Sequence, residues 1–123
     1  MPSPTSVFRA GATALITGSA SGVGFAVAKL CASHSMNLIL VDNNTTKLDE
    51  AKSTLSSSSK AGSVETHSMD VASLSDWTAL KKSVEDGGKK LDFLHLNAGI
   101  GAKGDWTDIS YFHKIFDVSG LSI

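Results

Sequence analysis

At 123 residues, with 41% hydrophobic and 19% charged side chains, the chain is long enough for one domain with a buried core and too apolar for a disordered tail. A formal net charge of −1 excludes nucleic acid or an anionic membrane surface as the main partner on electrostatic grounds. The single cysteine, Cys31, leaves no internal disulfide and no cysteine-based zinc site, which points to a reducing, cytoplasmic setting. Met1 to Val7 lacks the charged end and apolar run of a secretory signal. No apolar run approaches membrane-spanning length.

Strands and helices alternate along the chain. Residues 1–11 read as an N-terminal extension. Ala12 to Thr17 is a short buried strand, followed by a glycine- and serine-rich turn over Gly18 to Gly24. Phe25 to His34 has helical periodicity, with Phe25, Val27, Ala28, Leu30 and Cys31 available to pack. Cys31 reads as an inert core residue, the usual fate of a free cysteine on a packed helix. Asn37 to Val41 is a continuous apolar run, as expected of a parallel strand covered on both faces. Thr45 to Leu55 predicts a second helix, capped by Thr45 or Thr46.

The run from Ser56 to Gly62 reads as an exposed loop. Val64 to Ser68 predicts a third strand. Leu74 to Glu85 predicts a third helix, with Ser73 as its cap and Gly87-Gly88 as its stop. Leu91 to Leu96 predicts a fourth strand, and a fourth helix begins near Ile109 and runs to at least Val118. This alternation implies βαβ units and a parallel sheet flanked by helices, in the order 3-2-1-4, which opens a dinucleotide-binding fold. The fold class is therefore α/β, with residues 12–123 as one nucleotide-binding unit.

The most informative segment is Thr17-Gly18-Ser19-Ala20-Ser21-Gly22-Val23-Gly24, which leaves a strand and enters a helix. Gly18 can turn the chain, Gly22 allows close approach of the backbone to a pyrophosphate, and Gly24 allows tight helix–strand packing. The helix start attracts phosphate through its free N–H groups and dipole. Gly18, Ser19, Ser21, Gly22, Val23 and Gly24 are the candidate cofactor-binding residues of this loop. The spacing G-x-x-x-G-x-G is not a P-loop, because no Gly-Lys-Ser/Thr follows. A plain serine-rich turn is the bland alternative.

Asp42 stands directly after the second strand, 18 residues beyond Gly24. A carboxylate there can accept from both hydroxyls of an adenosine ribose, through charge-assisted bonds worth roughly 1.5–3 kcal/mol each. It also repels a 2′-phosphate, and no Arg or Lys stands at Ser21, Asn43 or Asn44. NAD is favoured over NADP on this ground. The alternative for Asp42 alone is a solvated helix-capping residue.

Two further segments fall in register. Asp70-Val71 follows the third strand, and Asn97-Ala98-Gly99 follows the fourth. Together with Thr17-Gly18-x-x-x-Gly22-x-Gly24, they make the chain resemble the short-chain dehydrogenase/reductase family from about Ala12 to Ile123. The resemblance implies a partial Rossmann fold lacking the C-terminal strands, and binding of NAD or NADP. It implies that Asp70 and Val71 border the adenine, and that Asn97, Ala98 and Gly99 shape the floor beneath the cofactor. It also implies hydride transfer between the nicotinamide and a small alcohol or carbonyl substrate in a full-length form. The fourth helix would carry Ile115, Phe116 and Val118 toward the core or a homo-oligomer interface.

The family's catalytic serine and Tyr-x-x-x-Lys pair are missing. The only tyrosine is Tyr111, and Ile115, not lysine, lies four residues on. No catalytic residue is assigned. Phe116 to Gly120 resembles the family's fourth-helix signature, with Ser119 where an Asn normally stands, and Ser119 reads as a structural helix residue. Without later strands the far edge of the fourth strand is expected to lie exposed. Two other readings stay open: a non-catalytic nucleotide-binding or protein-interaction module, and another Rossmann enzyme such as a methyltransferase. Trp106 reads as a packing residue. His34, His67, His95 and His113 are too scattered for a metal cluster.

Overall fold

The computed structural model describes residues 8–20, 22–57, 62–69, 74–88, 91–95 and 118–122, the last of these as backbone. Five strands and three helices follow one another in the order β1 (Thr13–Thr17), α1 (Gly22–Ser33), β2 (Asn37–Asp42), α2 (Thr45–Ser56), β3 (Val64–Ser68), α3 (Leu74–Asp86), β4 (Leu91–His95) and β5 (Val118–Ser122). They form one sheet in the order β3-β2-β1-β4-β5. Every pairing in it is parallel. The 3-2-1-4 order expected from the alternating pattern is present.

Strands β1, β2 and β4 are buried because their apolar residues serve both faces. Ala14, Ile16, Leu38 and Leu40 pack with Ala28, Cys31 and Ala32 of α1 and with Leu48, Ala51 and Leu55 of α2. Period-two alternation sends Leu15, Ile39 and Leu94 to the opposite face. These three are fully buried too, as are Trp77, Leu80 and Val84 of α3, which fall outside the first cluster and supply the second layer. At roughly 1.5–3 kcal/mol for each large apolar side chain taken from water, these two layers are the main stabilising term. Phe25 and Val27 are half-buried against the core, but Leu30 is 51% exposed and does not pack as its spacing suggested.

The end of the N-terminal extension is built into the fold. Phe8 lies 5.1 Å from the ring of Phe93 and 5.7 Å from that of His34. Arg9 donates to the Asp92 carboxylate at 3.1 Å, and the other oxygen of Asp92 accepts from the Thr13 backbone N–H at 2.9 Å. Asp92 thereby joins the first turn of chain, the start of β1 and the start of β4.

Several boundaries differ from the expectation. Helix α1 begins at Gly22 rather than Phe25, so its first turn lies inside the glycine-rich segment. The cap of α2 is Asn44, not Thr45 or Thr46; its side chain accepts from the Lys47 N–H at 3.0 Å. The α3 stop is as expected, with Gly87 donating to Ser83 and Gly88 to Glu85. Ser73, Trp106, Tyr111 and most of the expected fourth helix lie outside the described residues.

The largest correction concerns the far side of the sheet. Val118 is expected at the end of a helix and Ser119 within it, yet both belong to strand β5. Leu91 pairs with Val118, Leu94 with Leu121 and His95 with Ser122. The far edge of β4 is therefore covered rather than exposed. Val118 is β-branched and Gly120 disfavours a helix, so the segment gives up little helical preference by adding to the sheet.

Candidate functional site

In a parallel sheet all strands end on the same side, and ligands of such folds sit beyond those carboxyl ends. β1 ends at Thr17, β2 at Asp42, β3 at Ser68 and β4 at His95. Of the residues singled out in the sequence, those that are described lie at the ends of the neighbouring strands β1 and β2, so topology brings them to a single edge. Gly18, Ser19, Gly22, Val23, Gly24 and Asp42 are described there; Ser21, Asp70, Val71, Asn97, Ala98 and Gly99 lie outside the described residues.

The loop after β1 is bent by two residues of left-handed conformation, Gly18 with φ of 61° and Gly22 with φ of 59°. A side chain on Gly22 would meet no heavy atom within 4 Å, so the space above it is open. This fits a phosphate approaching the backbone closely, with the start of α1 and its unpaired N–H groups beneath. Gly24 is buried in α1. Val23 is 64% exposed, an apolar side chain held in solvent at the rim of the loop.

Ser19 behaves otherwise. It is 0% exposed, and its hydroxyl and its backbone N–H both donate to the Val41 carbonyl, at 3.3 and 3.2 Å. Its side chain is turned into the protein. The next residue, Ala20, donates its N–H to Oδ2 of Asp42 at 3.1 Å. The other oxygen of Asp42 accepts from the Asn44 N–H at 3.0 Å. A carboxylate offers about four lone-pair sites, so roughly two remain for a ligand. Thr17 ties the start of the loop to β4 through a 3.4 Å bond from its hydroxyl to the His95 carbonyl. The contributions of Ala20 and the Val41 carbonyl had no sequence signal, since both act through backbone groups that every residue carries.

Burial shapes two titratable groups of the fold. His95 is buried and stacked 6.4 Å from Phe93, and desolvation lowers its pKa from the ordinary histidine value. Burial pushes the Cys31 thiol up to about 12, so it stays protonated at neutral pH. His67 pairs with Glu65 at 2.9 Å on β3. A concavity of about 370 Å³ lies between β3 and α3, lined by His67, Asp76 and Ser83 among others, and none of the glycine-rich loop contributes to it. Among the described residues no group of three or more His, Cys, Asp or Glu could hold a metal ion, and no helix is long and apolar enough to cross a membrane.

Comparison with known proteins fits this arrangement. The family model described as short chain dehydrogenase matches residues 12–122, nearly the whole chain. The chain belongs to the short-chain dehydrogenase family. Oxidoreductase UcpA of Salmonella typhimurium is 31% identical over 115 residues, which are 90% of this chain and 43% of that protein. L-sorbose reductase from Gluconobacter frateurii, solved with NADPH and L-sorbose, is 32% identical with a TM-score of 0.69, over 77% of this chain and 36% of that one. A short chain dehydrogenase/reductase from Burkholderia phymatum, solved with NAD, is 35% identical with a TM-score of 0.66, over 76% of this chain and 32% of that one. The chain thus spans less than half the length of these relatives. Its Rossmann-type sheet is the part they share, and the bound dinucleotides belong to the relatives.

Proposed function

We propose that this short-chain dehydrogenase chain binds NAD(H) by its ADP half, as the nucleotide-binding part of an oxidoreductase. The observation that carries the reading is the Ala20–Asp42 hydrogen bond at 3.1 Å, which puts a phosphate-type loop and a ribose-type acceptor side by side at the ends of β1 and β2. The pyrophosphate would lie over Gly22 and the start of α1, against the loop of Gly18, Ser21, Val23 and Gly24. Asp42 would accept from the ribose hydroxyls with its remaining lone pairs. Asp70 and Val71 would border the adenine, and Asn97, Ala98 and Gly99 would form the floor, as the family resemblance implies. Ser19 would act from beneath, through the loop backbone.

When bound, the nicotinamide supplies hydride exchange with an alcohol or carbonyl carbon. Within these 123 residues no Tyr-x-x-x-Lys pair is present to move the accompanying proton, since Tyr111 is followed four residues on by Ile115. Turnover would therefore need residues outside this chain. NAD is preferred over NADP, because the Asp42 carboxylate opposes a 2′-phosphate and no cationic side chain stands at Asn43 or Asn44. A reducing, cytoplasmic setting goes with this reading, in which Cys31 stays a thiol.

Calorimetric titration of the purified chain with NAD⁺ and NADP⁺ tests it, with Asp42→Ala as control. Binding of NAD⁺ at least about tenfold tighter than NADP⁺, and weakened about tenfold or more by the substitution, is the expected result. A folded chain that binds neither dinucleotide would remove the cofactor reading and leave an interaction module.

A further inference from the structure

The glycine-rich loop is held down in an unusual way for a segment with left-handed residues on both sides. Gly18 and Gly22, with φ of 61° and 59°, give the backbone freedom at each end of Ser19 and Ala20. The orientation of these two residues must therefore be set by bonds from outside the loop. Ser19 N–H, the Ser19 hydroxyl and Ala20 N–H all donate to the last two residues of β2, namely the Val41 carbonyl and Oδ2 of Asp42. The anchor is rigid, because Leu38, Ile39, Leu40 and Val41 are fully buried in the middle of the sheet. The Asp42 side chain is itself fixed by the Asn44 N–H, which holds Oδ1 at 3.0 Å and leaves Oδ2 on Ala20.

We propose that Asp42 is a positioning residue for the phosphate loop: with the Val41 carbonyl it forms a clasp on Ser19 and Ala20 that sets the loop's shape before a nucleotide arrives. This inference rests on the nucleotide-binding reading and adds to it. The ribose acceptor and the phosphate cradle become one rigid unit, and the loop's ordering cost is met in folding instead of in binding. A consequence of opposite sign to simple electrostatics follows. Removing the carboxylate takes away a negative charge near a bound anion, which alone would tighten phosphate binding. Loosening the clasp weakens it, and the clasp is the larger effect because charge-assisted bonds to backbone N–H groups are strong and local.

The test uses the full chain and a probe that has no ribose. Backbone amide exchange at Ala20 is followed by NMR in the ligand-free protein, and inorganic pyrophosphate is titrated by calorimetry, for the unsubstituted chain, Asp42→Ala and Asp42→Asn. The Ala20 amide is expected to exchange about tenfold faster in Asp42→Ala, with Leu15 and Ile39 still protected, and pyrophosphate is expected to bind several-fold more weakly. Asp42→Asn, which keeps an acceptor oxygen, is expected to restore most of the protection. Should Asp42→Ala lose its fold, Ser19→Ala releases the other half of the clasp while keeping the carboxylate, and is expected to speed Ala20 exchange in the same direction. Equal Ala20 exchange in all variants, or pyrophosphate binding that stays the same or tightens in Asp42→Ala, overturns the clasp. Loss of NAD⁺ binding with pyrophosphate binding intact overturns it while leaving the cofactor reading in place. If the unsubstituted chain binds neither NAD⁺ nor pyrophosphate, the cofactor reading fails and amide exchange alone decides the clasp.

Discussion

Cys31 of α1 and His95 of β4 are both buried, and removal from water favours the neutral form of each. For Cys31 that means a thiol pushed up to about 12. An aromatic disulfide reagent is expected to leave it untouched in native buffer and to react promptly in denaturant; fast reaction of the folded chain would show that α1 opens and exposes the thiol. For His95 the lowered pKa gives a pH dependence with a definite sign. The unfolded chain takes up its proton near the ordinary value of about 6.5, while the folded chain resists until lower pH. The stabilisation is therefore complete above about 6.5 and is lost as pH falls below it, at up to about 1.4 kcal/mol per pH unit. Urea midpoints at pH 7.5 and 5.5 check this: the loss on acidification should shrink in His95→Gln, and an unchanged slope would remove His95 as its source. The inertness of Cys31 was legible from its place on a packed helix. The burial of His95 was less so, because a histidine ending an apolar strand gives no sign of which face it takes. The pairing of Ile16 with His95 puts it beside the core.

At the scale of elements, β1 and β2 were readable because apolar runs between turn residues leave few alternatives, and β3 chiefly from its place in the strand–helix alternation. What the pattern missed were contacts made by polar groups across long sequence separations. Asp92 interrupts the apolar run of β4, and nothing in its neighbours says that it accepts from Arg9 and from Thr13 N–H. Asn44 outcompeted Thr45 and Thr46 as the α2 cap because Asp42 already fixes its backbone, leaving its side-chain oxygen facing the Lys47 N–H. The Asp92 junction carries a graded expectation. Asp92→Ala strands a buried backbone donor and is expected to cost about 2–3 kcal/mol. Arg9→Ala removes the outer bond to Asp92, at a guanidinium that is half exposed, and is expected to cost less than about 1 kcal/mol. Equilibrium urea unfolding of both variants compares the two directly; equal costs would mean that the Arg9 pair, not the Thr13 bond, holds the strands.

For the whole molecule, the sheet's edges decide how the chain behaves in solution. The segment from Phe116 to Gly120 resembles a helix signature, and that likeness misled the reading of Val118 and Ser119 because local preference there is weak. The unpaired backbone of β4 is a stronger claim on the segment: parallel addition of Val118–Ser122 satisfies its N–H and C=O groups, which would otherwise offer a template for another chain. β3, at the opposite edge, also presents backbone groups, but its polar and charged residues Glu65, Thr66, His67 and Ser68 make it a poor template for apolar pairing. The two edges should therefore respond differently to damage. Removing residues 118–123 is expected to increase self-association with rising concentration relative to the intact chain, seen as growth in mass by light scattering after size exclusion. Replacing Thr66 with Lys on the β3 edge should leave the mass unchanged. If the shortened chain stays as monodisperse as the intact one at matched concentration, β5 does not protect the sheet, and pairing with β4 is not what holds the segment in place.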